Sequence, residues 1–209
     1  MAKFDWRHWF KKKEHHGYEA HPSALGKAWH FLAHEDSLLS FVADAILVII
    51  IGKFIVLPAL GFALGTSFPL VAVVSGSMEH HGTFDEWWAQ QGTWYEKNNI
   101  TKEEFSKFPY YNGFNKGDVF AVKGVPFDEL EVGDVIVYLI PGRRDPIIHR
   151  IVDVEENFVI TKGDANAGQL DFELAVSAEQ IQGVATVRIP LIGWVKVAFV
   201  ELMSAGRKA

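Results

Sequence analysis

Between Leu38 and Leu64 the chain is almost wholly apolar and carries only two charges, Asp44 and Lys53. At 1.5 Å of rise per residue, about 20 apolar residues cross the hydrocarbon core of a bilayer. Residues 38–60 are therefore expected to form one transmembrane helix ending near Pro58 and Gly61. Asp44 and Lys53 fall toward opposite ends of that span, where each can reach the headgroups. A helix buried in a soluble core would need partner helices, and none is evident downstream. A cleaved signal peptide fits poorly, because the run is long and follows 37 mostly polar residues.

Charge sets the orientation. Lys3, Arg7, Lys11, Lys12, Lys13 and Lys27 precede the span, and no Lys or Arg stands between Phe54 and Glu96. The positive-inside rule then places the N-terminus in the cytoplasm and residues 66 onward outside, as a single-pass protein of the cell membrane. The net charge of −6 and pI near 5.8 argue against nucleic acid as a partner, which would call for a basic face. The chain has no cysteine, which excludes a disulfide framework, a thiol nucleophile and a Cys-ligated zinc site.

The expected organisation has four parts. Residues 1–37 form a tail with an amphipathic stretch, Ala24 to Ala33, and six of the nine histidines. His30 and His34 share a helix face, but no carboxylate or Cys completes a metal site there, so no metal is assigned. Residues 38–60 are the span, and 66–189 a mainly β, antiparallel, barrel-like domain. Its expected strands are 68–75, 118–123, 133–139, 147–154, 157–162 and 182–189, rich in Val and Ile and bounded by Gly, Pro and Asp. Residues 190–209 hold a C-terminal helix, interfacial or packed over 190–204, with Trp194 near the headgroups.

Residues 79–116 interrupt the β pattern as a small helical insertion. Thr83-Phe84-Asp85-Glu86 and Thr101-Lys102-Glu103-Glu104 read as capping boxes, each starting a short helix. The aromatic residues here, Trp87 and Trp88 among them, either build a private small core or face the membrane interface or a substrate groove.

The chemistry centres on Val74-Ser75-Gly76-Ser77-Met78, at the end of the run Phe68 to Val74. Serine is a weak nucleophile until a base takes its proton and a third group orients that base. Ser77 is the candidate nucleophile. His149, alternating with Ile147 and Ile151 on a strand, is the candidate base. His80 and His81 adjoin the nucleophile but sit in a flexible-looking His-His-Gly turn, and a base must be firmly held. Asp164 and Asp171 are the candidate orienters, Asp171 the preferred one because Asp164 follows Gly163 at a strand end and readily caps the turn.

Ser-Gly-Ser-Met, then Ile-His-Arg, then Lys-Gly-Asp resembles the motifs of type I signal peptidase over about two thirds of the chain. The His marks the archaeal and endoplasmic-reticulum branch; the bacterial branch carries Lys in that role. The resemblance implies a serine endopeptidase acting through an acyl-enzyme. Ser77 would be the nucleophile, Ser75 and the Ser77 backbone N–H the oxyanion hole, His149 the base and an Asp of 164–171 its orienter. It implies no metal or organic cofactor. Its substrates would be exported precursors bearing signal peptides, cleaved after small residues at the −1 and −3 positions. The lipid bilayer is a further partner, and the translocation machinery a candidate one. An extended substrate can pair with the Phe68–Ser75 edge, with Val71, Val73 and Val74 as candidate contacts.

Three features depart from the family pattern. His80 stands where the family usually has Pro, the long insertion separates the Ser motif from Gly117-Asp118, and Asp171 lies seven residues past Asp164 where the family has six. Two other readings remain. A serine–lysine protease of related fold would need a Lys in place of His149. A non-catalytic membrane-anchored β-domain subunit or binding module would be expected to lose Ser77 or His149, and both are present.

Overall fold

The computed structural model describes residues 23–24, 37–143, 145–194 and 196–198. The histidine-rich tail, including His30 and His34, lies outside them, as does the C-terminal helix from Phe199 onward. The chain divides into two compact units, Met1–Gly52 and Lys53–Ala209.

In the first unit, helix α1 runs over Leu38–Ile51, and the Ser37 hydroxyl caps it by accepting from Ser40 N at 3.1 Å. The second unit begins with a π-helical turn, Gly52–Val56, and helix α2, Leu57–Leu64. The helical run therefore spans 27 residues and passes the expected stop at Pro58 and Gly61. A proline has no N–H to give and its ring crowds the carbonyl four residues earlier. Here Pro58 sits in the first turn of α2, directly after the widened π turn, where a missing donor is tolerated. The helix stops instead at Gly65, whose φ of +65° is left-handed, with Thr66 N donating to Gly61 O at 3.0 Å. No residue of its most apolar window is buried among the described residues, unlike a soluble core helix.

The second unit is built on one curled, seven-stranded antiparallel sheet, an open half-barrel. Its strands are β1 (Leu70–Ala72), β2 (Val119–Lys123), β3 (Val135–Tyr138), β4 (Ile147–Val154), β5 (Phe158–Lys162), β6 (Val176–Ser177) and β7 (Ile181–Ile189). Their spatial order is β1-β2-β7-β3-β4-β5-β6. Register irregularities at Ala121/Val122, Val137/Tyr138 and Ile151/Asp153 are bulges of the kind that add twist and curl a sheet. The two-residue β6 was not expected; it is too short for a periodic signal.

All four residues of β3 are buried. Val135 and Val137 point to a cluster with Val71, Val73, Phe120, Val122 and Ile148, while Ile136 and Tyr138 point to one with Leu130, Ile151, Val159 and Val176. Strand alternation thus places a core on each side of β3.

The insertion carries α3 (Phe84–Lys97) and α4 (Lys102–Phe105). Both ends are capped as expected: Thr83 Oγ1 accepts from Glu86 N at 3.3 Å, and Thr101 Oγ1 from Glu104 N at 3.2 Å. Helix α3, at 14 residues, is longer than the short element expected. Trp87 and Trp88 are 3% and 7% exposed, packed with Tyr95, Ile100 and Phe105. The aromatic residues therefore form a core and not a lipid-facing surface. That core is not private, because Val152 of β4 and Ile160 of β5 are part of it.

Candidate active site

Strand β1 delivers the Ser motif to the mouth of a cleft. Val71 and Val73 are 4% and 2% exposed in the main core, so period-two alternation turns Ala72 and Val74 toward the cleft. Of the expected substrate contacts, Val74 lines it; Val71 and Val73 are taken up by packing. Beyond Val74 the chain leaves the sheet. Met78 is fully buried and anchors the turn, and Ser75 Oγ lies 3.1 Å from Ser77 Oγ at the surface.

Strand β4 brings in the candidate base. His149 pairs in register with Ile136 and is 4% exposed. Its Nε2 is 2.9 Å from Ser77 Oγ, across 72 residues of sequence. Its Nδ1 is 2.6 Å from Glu173 Oε1. The contact is an ion-pair approach whose angle lies outside hydrogen-bond geometry; a carboxylate there favours the proton on Nδ1, which leaves Nε2 to accept from the serine hydroxyl.

The carboxylate behind His149 is thus Glu173, not Asp171 or Asp164. Residues Asp171–Glu173 form one 3₁₀ turn, in which successive side chains are separated by about 120°. Asp171 faces solvent and Glu173 is fully buried. Glu173 is held from both sides: Oε1 accepts from Gly163 N at 3.0 Å and Oε2 from Leu170 N at 2.6 Å. Only its place two residues past Asp171 could have pointed to it; a motif search keyed to Asp passes over it.

Asp164 does different work. It accepts from Arg150 Nε at 3.1 Å and Arg150 Nη2 at 2.8 Å, from Tyr95 Oη at 3.0 Å, and pairs with His80 Nε2 at 3.0 Å. Burial opposes its ionisation, but the Arg150 charge and the hydrogen bonds from His80 and Arg150 outweigh it and hold Asp164 well below the usual carboxylate range. Arg150 also donates to Gly133 O, Pro109 O and Tyr110 O, so the fully buried guanidinium joins the sheet to the insertion. His80, expected in a loose turn, is buried and stacks on Trp87 with ring centroids 3.7 Å apart. His81 is exposed, as such a turn would have it.

The Lys162-Gly163-Asp164-Ala165 strap closes the site from the β5 side. Ala165 N donates to Ser77 O at 2.8 Å, and Asp164 N to Met78 Sδ at 3.3 Å. A Cβ on Gly163 would stand 2.9 Å from His149 Nε2 and 3.0 Å from Ser77 O, so glycine is required for this approach. Lys162 Nζ donates to Gly163 O at 3.0 Å and Asn166 O at 2.7 Å; burial lowers its pKa to about 8 against the pull of Asp164 and Glu173.

The cleft in front of Ser77 has a volume of about 450 Å³. Ala72, Val74, Ser75 and Ser77 line it together with Ile147, Ile148 and His149 at the start of β4, and with Asn166, Leu170 and Phe172. A hydroxyl, an imidazole and a buried carboxylate in series beside an open groove is an arrangement suited to acyl transfer.

No family model matches the chain. It is 26% identical over 159 residues to the signal peptidase complex catalytic subunit SEC11 of Scheffersomyces stipitis, covering 71% of this chain and 75% of that one. It is 27% identical over 151 residues to the protein of the same name from Saccharomyces cerevisiae, covering 66% and 70%. The class is that of a serine endopeptidase, a hydrolase on a mainly β scaffold preceded by an apolar helix. Within it, the chain is similar to type I signal peptidases of the endoplasmic-reticulum branch, the resemblance that the His motif indicated.

Proposed function

We propose that this chain is a membrane-anchored endopeptidase that removes signal peptides from exported precursors, with Ser77 as nucleophile, His149 as base and Glu173 as its orienter. The observation that carries the reading is the series Ser77 Oγ, His149, Glu173, with contacts of 2.9 and 2.6 Å. Ser77 Oγ attacks the scissile carbonyl carbon while its proton passes to His149 Nε2. The resulting oxyanion is met by Ser75 Oγ and the Ser77 backbone N–H. The C–N bond then breaks, and His149 returns the proton to the leaving amine. Water, deprotonated by the same imidazole, hydrolyses the acyl-serine and frees the signal peptide's new carboxyl end. The Glu173 carboxylate stabilises the imidazolium formed in each half-reaction.

The substrate lies extended along β1, a strand at one edge of the sheet. The cleft-facing Ala72 and Val74 leave room for small residues at −1 and −3. The span at 38–64 tethers the chain to the membrane in which the signal segment is held. The Lys and Arg distribution puts residues 1–37 in the cytoplasm and the β unit on the other side. The enzyme needs no metal or organic cofactor for these steps.

The test uses the full chain in detergent or lipid, with a serine-reactive phosphonate probe and a precursor whose signal segment ends Ala-x-Ala. Labelling at Ser77, with cleavage lost in Ser77→Ala, is expected. Cleavage by Ser77→Ala at the wild-type rate would exclude the reading, and a protein that neither labels nor cleaves would point to a binding module.

A further inference from the structure

We infer that His80 is a positioning residue for the nucleophile, and that through it the aromatic insertion forms part of the catalytic apparatus. The inference rests on the triad reading above.

The contacts around the Ser motif close a ring. From Ser77 the chain runs through Met78 and Glu79 to His80, whose Nε2 pairs with Asp164 Oδ2 at 3.0 Å. Asp164 is continuous with Ala165, whose N–H returns to Ser77 O at 2.8 Å. The ring begins and ends on the nucleophile. It is braced inside by Asp164 N on Met78 Sδ and outside by Phe114 N on Met78 O at 3.0 Å. Opening it at His80 removes the link between side chains that ties the segment after Ser77 to the strap that also sets Gly163 against His149, and leaves the contact of Asp164 N with Met78 Sδ.

His80 is itself held by the insertion. Its ring lies flat on Trp87, at 6° between planes, and Phe105 is 6.3 Å away. Gly113, at φ +68°, lets the end of the insertion approach; a Cβ there would stand 2.5 Å from His80 Cδ2. Tyr95 of α3 donates to the same Asp164 carboxylate. The insertion therefore meets the nucleophile loop through one buried carboxylate and one stacked imidazole.

The tautomer follows from the partner. Ionised Asp164 accepts, so His80 Nε2 carries a proton toward it. Its Nδ1 is buried with no partner among the described residues. An unpaired buried polar atom is unfavourable, and an apolar side chain of similar size would avoid it. The Nε2 contact is what an apolar residue could not supply.

Three full-length forms in detergent decide the matter: wild type, His80→Ala and His80→Gln. Gln can present a donor nitrogen near the position of Nε2 without titrating. The readouts are the rate of phosphonate labelling at Ser77, kcat and KM on the precursor, and the melting temperature. A displacement of the nucleophile by about 1 Å costs on the order of 100-fold in rate. His80→Ala is expected to lower kcat and the labelling rate by about 10- to 100-fold with KM little changed, and His80→Gln to restore most of both. Labelling of His80→Ala as fast as wild type overturns the role of His80 and leaves the triad intact. If His80→Ala does not fold, His80→Gln decides: a folded, slow His80→Gln overturns the proposal, and a fast one supports it. A wild type that does not label at Ser77 overturns the triad reading and this role with it.

Discussion

His149 Nδ1 and Glu173 Oε1 lie 2.6 Å apart, and that contact is why a glutamate, and not an aspartate, is proposed as the third member of the site. Replacing a triad carboxylate by its amide lowers turnover by about 10⁴-fold, because the imidazole takes the wrong tautomer. Glu173→Gln is expected to show a loss of that order in kcat on a precursor substrate. Asp171→Asn, at an exposed position, should stay within a few-fold of wild type. A large loss in Asp171→Asn with Glu173→Gln active would reverse the assignment.

In the proposed mechanism Ser75 and Ser77 divide the remaining chemistry. Their hydroxyls are 3.1 Å apart, so Ser75 can donate to the oxyanion formed on the carbonyl that Ser77 attacks. Removing one such donor costs about 100- to 1000-fold in kcat, whereas removing the nucleophile costs far more. Steady-state kinetics on Ser75→Ala should show the smaller loss with KM nearly unchanged. An unaltered kcat would assign oxyanion stabilisation to backbone donors alone.

Gly163 has no freedom to carry a side chain. A methyl group there would stand 2.9 Å from His149 Nε2 and 3.0 Å from Ser77 O. Gly163→Ala should retain the β fold by circular dichroism while cleavage drops by at least about 100-fold, the cost of a 1 Å misalignment. Wild-type cleavage by this variant would mean that His149 and Ser77 tolerate a shift the geometry forbids.

Asp164 links stability to acid. Its carboxyl is held below the usual range by Arg150 and His80 despite burial. The folded pKa is below the unfolded one, so the stabilisation is full above about pH 4, the ordinary Asp value, and is lost as pH falls toward the depressed folded pKa. Chemical denaturation of the wild type, followed by tryptophan fluorescence, should therefore show stability declining below that pH. Asp164→Asn should be less stable at neutral pH and should lose part of this acid dependence. An Asn variant with the wild-type profile would remove Asp164 as its source.

The topology makes a separate prediction. Protease added outside intact, wall-stripped cells should reach the exposed parts of residues 66–194 and spare residues 1–37, as the positive-inside rule requires. Digestion of the tail with protection of the β unit would invert the orientation.

The sequence by itself determined the elements that rest on local rules. A long apolar run gave the helix, period-two patterns gave every strand but the two-residue β6, and Thr83 and Thr101 marked both insertion helices. It also singled out Ser77 and His149, because their motifs stand on predictable strand ends. The tertiary structure decided what depends on side-chain direction across long separations. Whether Asp171 or Glu173 faces His149 is set by the pitch of one 3₁₀ turn, which no motif spacing encodes. Val71 and Val73 went to the core because β1 pairs with β2 in the register that puts Val71 opposite Phe120. His80 became buried only because the insertion folds back and lays Trp87 against it. Local propensity fixes where a helix or strand starts, but the partner of a buried charge is chosen by packing, where an unpaired charge cannot persist.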